Sequence, residues 1–476
     1  MLFSSLEFVC FFFPLFFLCY YLAAKLFKTR IQVRNMVFWV FSIIFYAWGE
    51  LSYLWLLTVS VVFNYLFAVA IGRCQQQNKS GKGWLIADVV LNIALLGVFK
   101  YTGLFVNSLN SVFGFDWAVP AIVLPIGISF YTFQIMSYVI DVYQHKVAVQ
   151  RNIFTVAVYL CGFPQLIAGP IVRYSDIEEQ LAHRRETWDG VYRGLHRFIA
   201  GLSKKVIIAN TCAAMCDALF ENSVEAFGAV GAWIGMLTYT LQIYFDFSAY
   251  SDMAIGMGYM MGFEYKENFH YPYAATSVTD FWRRWHISLS SFFREYVYIP
   301  LGGNRVSRPR HIFNLLTVWA LTGLWHGASW NFVLWGVYYG VLLIIEKYTY
   351  GKWLEKIPVL NRVYTLTAVV FGWVFFRFET ITDIGNIFAA LFGRYGAFGV
   401  NNELAQVLGK SHFDMAFVLA FAVGCLISFP IIKNKQACLQ HKVIAPLAGI
   451  GSLLLLCLCI LLMEIGAYNP FIYFRF

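Results

Sequence analysis

The sequence predicts an all-α, polytopic membrane protein, and three observations lead there. Of 476 residues, 60% are hydrophobic and only 13% are charged, whereas soluble globular domains carry roughly 25% charged residues. Apolar segments approaching the ~20 residues that cross a bilayer recur from one end to the other. The basic residues collect in the short loops between them, as loops retained in the cytoplasm require. No polar, Pro-rich or Ser-rich stretch is long enough for an independent soluble domain, so residues 1–476 read as one membrane domain. The net charge of +9 follows from those loops; it does not point to nucleic acid, and the partner that composition implies is the lipid bilayer. Most of the ten cysteines lie inside apolar runs and no CxxC occurs, so they read as small buried side chains and no metal site is expected.

Charge order threads the chain. The first segment, Phe8 to Ala24, has Glu7 before it and Lys25, Lys28, Arg30 and Arg34 after it. A cleavable signal peptide has the reverse order, so this is an uncleaved span with its N-terminus outside. Spans near Met36 to Trp48 and Leu51 to Ile71 lead to an inside loop with Arg73, Lys79 and Lys82; spans near Trp84 to Phe99 and Val119 to Ile140 bring Lys146 and Arg151 inside. Asn152 to Ile171 then has basic loops on both sides and is interrupted by Gly162, Pro164, Gly169 and Pro170. It is expected to enter and leave on the cytoplasmic side, as a re-entrant element covered by protein or by a wet cavity. Ala209 to Leu219 and Phe227 to Tyr244 go out and back. In the polar stretch Glu264 to Arg310, residues Phe281, Trp285, Leu289, Phe292 and Tyr296 recur at helical spacing between arginines and serines, which predicts an amphipathic helix in the inner interface. His311 begins an outward span that turns after His326, and Phe332 to Ile345 returns. Spans near Tyr364 to Phe376, Phe413 to Ile432 and Val443 to Ile465 leave the C-terminus outside. The total is roughly eleven membrane segments.

Chemistry is sought where an ionisable group sits in apolar surroundings. In Gly323-Leu324-Trp325-His326-Gly327-Ala328-Ser329-Trp330 a histidine interrupts a long apolar run. Placing it at membrane depth costs ~2.5 kcal/mol or more, which makes it a functional candidate by default; a structural histidine bonded to a neighbouring helix is the alternative. With His311 at the inner boundary, His326 falls about 22 Å further along the helix axis, in the outer half of a ~30 Å hydrocarbon core. His286, in Trp282-Arg283-Arg284-Trp285-His286, is either part of a headgroup-level aromatic and basic belt or a catalytic or donor-binding group. Tyr244-Phe245-Asp246-Phe247-Ser248-Ala249-Tyr250-Ser251-Asp252 ends a span. Asp246 shares a helical face with Tyr250, and Ser248 with Asp252. That cluster orients a histidine, lines a polar passage, or is a satisfied network at a helix end. The P-loop, dinucleotide, zincin and nucleophile-elbow motifs are missing from the sequence, which leaves an NTP motor, redox enzyme, zincin or serine hydrolase without support.

Asp246 to Asp252, Trp282 to Ser290 and Gly323 to Trp330 together resemble the membrane-bound O-acyltransferase (MBOAT) family, and within it the bacterial alginate O-acetylation branch. Pro125-Ile126-Gly127-Ile128-Ser129-Phe130, Leu166-Ile167-Ala168-Gly169-Pro170, Tyr298-Ile299-Pro300-Leu301-Gly302-Gly303-Asn304-Arg305 and Pro470-Phe471-Ile472-Tyr473-Phe474 also read as that branch. The likeness covers nearly the whole chain and is weakest between about Phe388 and His441. It implies helices around a central tunnel, a catalytic histidine matching His326, and a second histidine region matching His286 on the donor side. Asp246, Tyr250, Ser251, Asp252, Arg283, Arg284, Trp285 and Trp325 are the further candidates for binding substrate or lining the tunnel. The resemblance further implies a bacterial inner-membrane enzyme with no bound cofactor. A cytoplasmic acyl thioester, acetyl-CoA or a carrier-protein thioester, gives up its acyl group at the membrane. A separate periplasmic or membrane-anchored acetyltransferase then passes it to a polysaccharide such as alginate, another exopolysaccharide or peptidoglycan. The competing expectation is a non-catalytic acyl conduit or scaffold for such a transferase.

Overall fold

The structure is a computed structural model and describes all residues except 168, 397–401, 411–412, 432–443, 467 and 473–476. Ala168, His441, Tyr473, Phe474 and the expected span boundaries at Ile432 and Val443 therefore lie outside the described residues. Every regular element among the described residues is helical. Among the described residues seven helices are long and apolar enough to cross a membrane, so the protein is a multi-pass membrane protein; the remaining apolar helices described are shorter or more polar. The described residues form two compact units: residues 1–198 with 251–267, and residues 199–250 with 268–476.

In the first unit, helices Phe13–Leu26, Ile31–Glu50, Leu54–Gln76 and Lys82–Leu96 follow the expected spans. The expected span near Val119 to Ile140 does not. It becomes helical only at Ile128, because Pro120 and Pro125 lack the N–H a helix needs and Gly127 is left-handed with φ 76°. Asn152 to Ile171 is broken, as its glycines and prolines predict, into Ile153–Cys161, capped by the Asn152 side chain, and Phe163–Leu166. Nine residues of helix rise only ~14 Å. Protein covers the break: the Phe163 N–H donates to Ser42 Oγ at 3.1 Å, and the Phe163 ring meets Phe16 at 5.1 Å and Phe12 at 5.4 Å. Arg184 is buried, donating to the Tyr20 hydroxyl at 2.9 Å, and that hydroxyl donates to Glu186 at 2.8 Å.

In the second unit, Arg308–His326 and Trp330–Tyr348 form a helical hairpin. Its two helices touch backbone to backbone. A Cβ at Gly323 would stand 2.2 Å from the Phe332 carbonyl oxygen, and one at Gly336 would stand 2.2 Å from that of Trp319. Only glycine permits that approach, and the approach fixes where the first helix ends, at His326. Pro358–Arg377 packs on the second helix of the hairpin. The helix expected to end near Tyr244 runs instead over Val224–Met261, with a non-helical Gly228, so the Asp246 to Asp252 cluster lies inside a helix. Its 224–250 part belongs to this unit and its 251–261 part to the first.

Candidate active site

The site begins with a break in the expected amphipathic helix. Ser277 caps a short helix Val278–Arg284, its Oγ accepting from the Asp280 N–H. The buried carboxylate of Glu346, on the hairpin, accepts from the N–H groups of Val278 at 2.8 Å and Thr279 at 3.1 Å, tying this helix to the hairpin. At His286 the backbone turns left-handed (φ 44°, ψ 55°) before a second short helix, Ile287–Phe293. A non-glycine residue there carries ~1–2 kcal/mol of strain. The turn sends the His286 ring inward, to 1% exposure.

Asn268 holds the turn. Its backbone carbonyl accepts from the Ile287 N–H at 2.9 Å, and its Oδ1 accepts from the Ser288 N–H at 3.1 Å and the Ser288 hydroxyl at 2.9 Å. An atom that accepts from a backbone N–H is the amide oxygen, so His286 Nδ1, 3.2 Å away, is the donor. The proton sits on Nδ1 and the lone pair on Nε2. Burial, with His326 nearby, holds the His286 imidazole well below its ordinary pKa, in the neutral form.

His326 closes the first helix of the hairpin and is 6% exposed. Its ring centroid lies 6.4 Å from that of His286, with Trp325 at 5.7 Å from His286. This corrects the expected separation of the two histidines, with His286 at the inner interface and His326 in the outer half of the membrane core. Helical spacing of apolar residues over 281–296 marks a buried face, and that face packs on protein: Trp285 meets Trp373 at 4.9 Å and Phe281 meets it at 6.3 Å. His326 borders a void of about 10 Å³, walled by Trp285, Trp335, Trp373, Phe376 and Ile472 among others. That is room for about one water.

The other candidates divide. Trp285 and Trp325 join the histidines. Asp246 pairs with Lys205 at 2.5 Å, both buried, and accepts from the Ile472 N–H at 2.8 Å; Tyr250 stacks on Phe471 at 4.2 Å. Neither side chain lines the pocket; both hold the segment that carries Ile472, which does. Ser251 and Asp252 belong to the other unit, where Asp252 accepts from Arg197 Nε at 2.7 Å and Arg197 also forks onto Glu267. Arg284 pairs with Asp280 at 2.9 Å. Arg283 lines a separate cleft of about 590 Å³ together with Arg294, Lys347 and Lys352. Sequence reasoning missed Asn268, Trp335, Trp373 and Phe376 altogether, and met Ile472 only through the Pro470-Phe471-Ile472 motif.

Two buried histidines, one of them beside a tryptophan-walled void, thus lie inside a multi-pass helical protein. Residues 148–381 match the membrane-bound O-acyltransferase family. Over the full length of both chains the protein is 38% identical to the "Probable alginate O-acetylase AlgI" of Azotobacter vinelandii. It is 43% identical to the Pseudomonas aeruginosa protein of the same name, over 82% of this chain and 75% of that one. It is 32% identical to the peptidoglycan O-acetyltransferase of Helicobacter pylori, over 100% of this chain and 98% of that one. The chain belongs to the membrane-bound O-acyltransferase family.

Proposed function

We propose that the protein is an O-acetyltransferase that takes an acetyl group from a cytoplasmic thioester and delivers it for acetylation of an extracytoplasmic polysaccharide. Alginate and peptidoglycan are the acceptor classes that its relatives' names suggest. The observation that carries the reading is His326 beside a void walled largely by aromatic rings, with a second histidine of defined tautomer 6.4 Å from it.

His326 acts as general base. It takes the proton of an attacking hydroxyl, on a partner or a sugar, as the oxygen attacks the thioester carbonyl. The C–O bond forms, the C–S bond breaks, and the proton passes on to the departing sulfur. Tryptophan walls exclude the water that would otherwise take the acetyl group. The donor is acetyl-CoA, a substrate and not a bound cofactor; the cationic cleft of Arg283, Arg294, Lys347 and Lys352 suits its phosphates. The protein works in the bacterial cytoplasmic membrane with both termini outside, and a periplasmic or membrane-anchored acetyltransferase completes delivery.

Purified, bilayer-reconstituted protein with labelled acetyl-CoA tests this. Proton transfer of this kind contributes ~10²- to 10⁴-fold in rate, so His326→Ala abolishes measurable thioester cleavage while the protein stays folded. Cleavage at the wild-type rate in that variant would refute the base. No cleavage under any donor or partner condition would leave the protein a conduit.

A further inference from the structure

The stretch that carries Ile472 is held with more polar chemistry than a chain segment needs. Tyr468 donates to Asp217 at 2.8 Å, and Asn210 donates to Asn469 at 3.3 Å. Lys205 donates to the Pro470 carbonyl while paired with Asp246, and Asp246 accepts from the Ile472 N–H at 2.8 Å. Phe471 lies stacked on Tyr250 at 4.2 Å.

The ion pair at the centre of these contacts is 1% exposed on lysine and 2% on aspartate. A pair so deeply buried is weak evidence for stability, since well-packed apolar residues often serve as well or better. Here the pair bonds the chain on either side of Phe471, at the Pro470 carbonyl and the Ile472 N–H. Ile472, 5% exposed, lines that pocket.

The opposite walls cannot give. Trp335 and Trp373 are 0% and 1% exposed, and each is braced by another ring, Tyr339 at 5.3 Å and Trp285 at 4.9 Å. A thioester carbonyl within ~3–3.5 Å of a hydroxyl activated by His326 must send its alkyl end into the void. With about 10 Å³ there, a methyl group requires only small adjustments of the lining, and each further methylene presses on its two aliphatic side chains, Ile243 on the long Val224–Met261 helix and Ile472 on the separately held stretch.

Given the acetyl-transfer reading above, we propose that Ile472 is the acyl-length stop of the His326 pocket, with Lys205 and Asp246 as the positioning residues that hold it there. The site takes a two-carbon acyl group and rejects a four-carbon one.

The test measures His326-dependent cleavage of acetyl-, propionyl- and butyryl-CoA by the reconstituted full chain. A methylene in such a pocket is worth roughly 10- to 200-fold, so the wild type loses at least about tenfold in kcat/KM per added carbon. Ile472→Ala narrows the acetyl-to-butyryl ratio by about tenfold or more, Ile472→Val narrows it partway, and Asp246→Asn narrows it by loosening the segment. A merely structural role lowers all three rates together and leaves the ratio fixed; an unchanged ratio in both Ile472 variants would overturn the proposal. Wild-type protein that cleaves none of the three donors would refute the transferase reading itself, and the stop with it.

Discussion

Asn268→Asp isolates what the His286 contact does. The exchange is isosteric and keeps an acceptor for the Ser288 N–H and hydroxyl, which lie 3.1 and 2.9 Å from the present amide oxygen. It adds a negative charge 3.2 Å from His286 Nδ1. At an effective dielectric of ~20, unit charges at that distance attract by about 5 kcal/mol, equivalent to nearly four pH units. Burying the new carboxylate takes back part of this, and carboxylate neighbours of this kind typically move a partner by ~1–3 units. The direction is fixed: burial now keeps His286 below its ordinary value and neutral, while the carboxylate favours the imidazolium and raises that value. The acid limb of kcat/KM against pH therefore moves upward by about one unit or more, and activity is lost at a higher pH than in the wild type. Asn268→Ala is the control. It leaves the buried Ser288 N–H without its acceptor, a loss of ~1–3 kcal/mol in stability, and produces no upward displacement. A wild-type pH profile in a folded Asn268→Asp protein would refute a working role for neutral His286.

Two further outcomes follow from where side chains lie. Arg283→Ala raises the acetyl-CoA concentration needed for half-maximal cleavage, and Arg284→Ala, whose guanidinium pairs with Asp280, leaves it near wild type; equal effects in the two variants would remove the cleft as donor site. On a cysteine-free background, cysteines at Arg185 and Arg308 react with an impermeant reagent only from the cytoplasm, and one at Ile465 reacts only from outside. Arg184 itself is buried against Tyr20, so its exposed neighbour is the reporter, and outside labelling at 185 would make Asn152 to Ile171 a true span.

The parts of this molecule that the sequence exposed are those where one residue contradicts its surroundings. His326 stands out because an imidazole in an apolar run is costly to place there, and the structure buries it beside His286. The break at Gly162 is legible because glycine and proline act locally. His286 was visible as a residue but not as a position, since helical periodicity reports a buried face without saying whether lipid or protein buries it; the left-handed turn that aims it inward has no signature at a histidine. Asn268 was invisible. It is a polar residue in a polar stretch, and its importance exists only once Ser288 and His286 arrive beside it. Val119 to Gly127 failed for the opposite reason: hydropathy counted apolar side chains while Pro120 and Pro125 had already removed the backbone donors.

The two histidine rings that stand 6.4 Å apart are carried by separate elements, and a third, the stretch with Ile472, shuts the void beside them. No single one of these segments builds the pocket. Assembly therefore has to bring three segments together: the hairpin with His326, the His286 turn tied to it through Glu346, and the stretch that carries Ile472. The void beside His326 has its walls only when all three segments have packed.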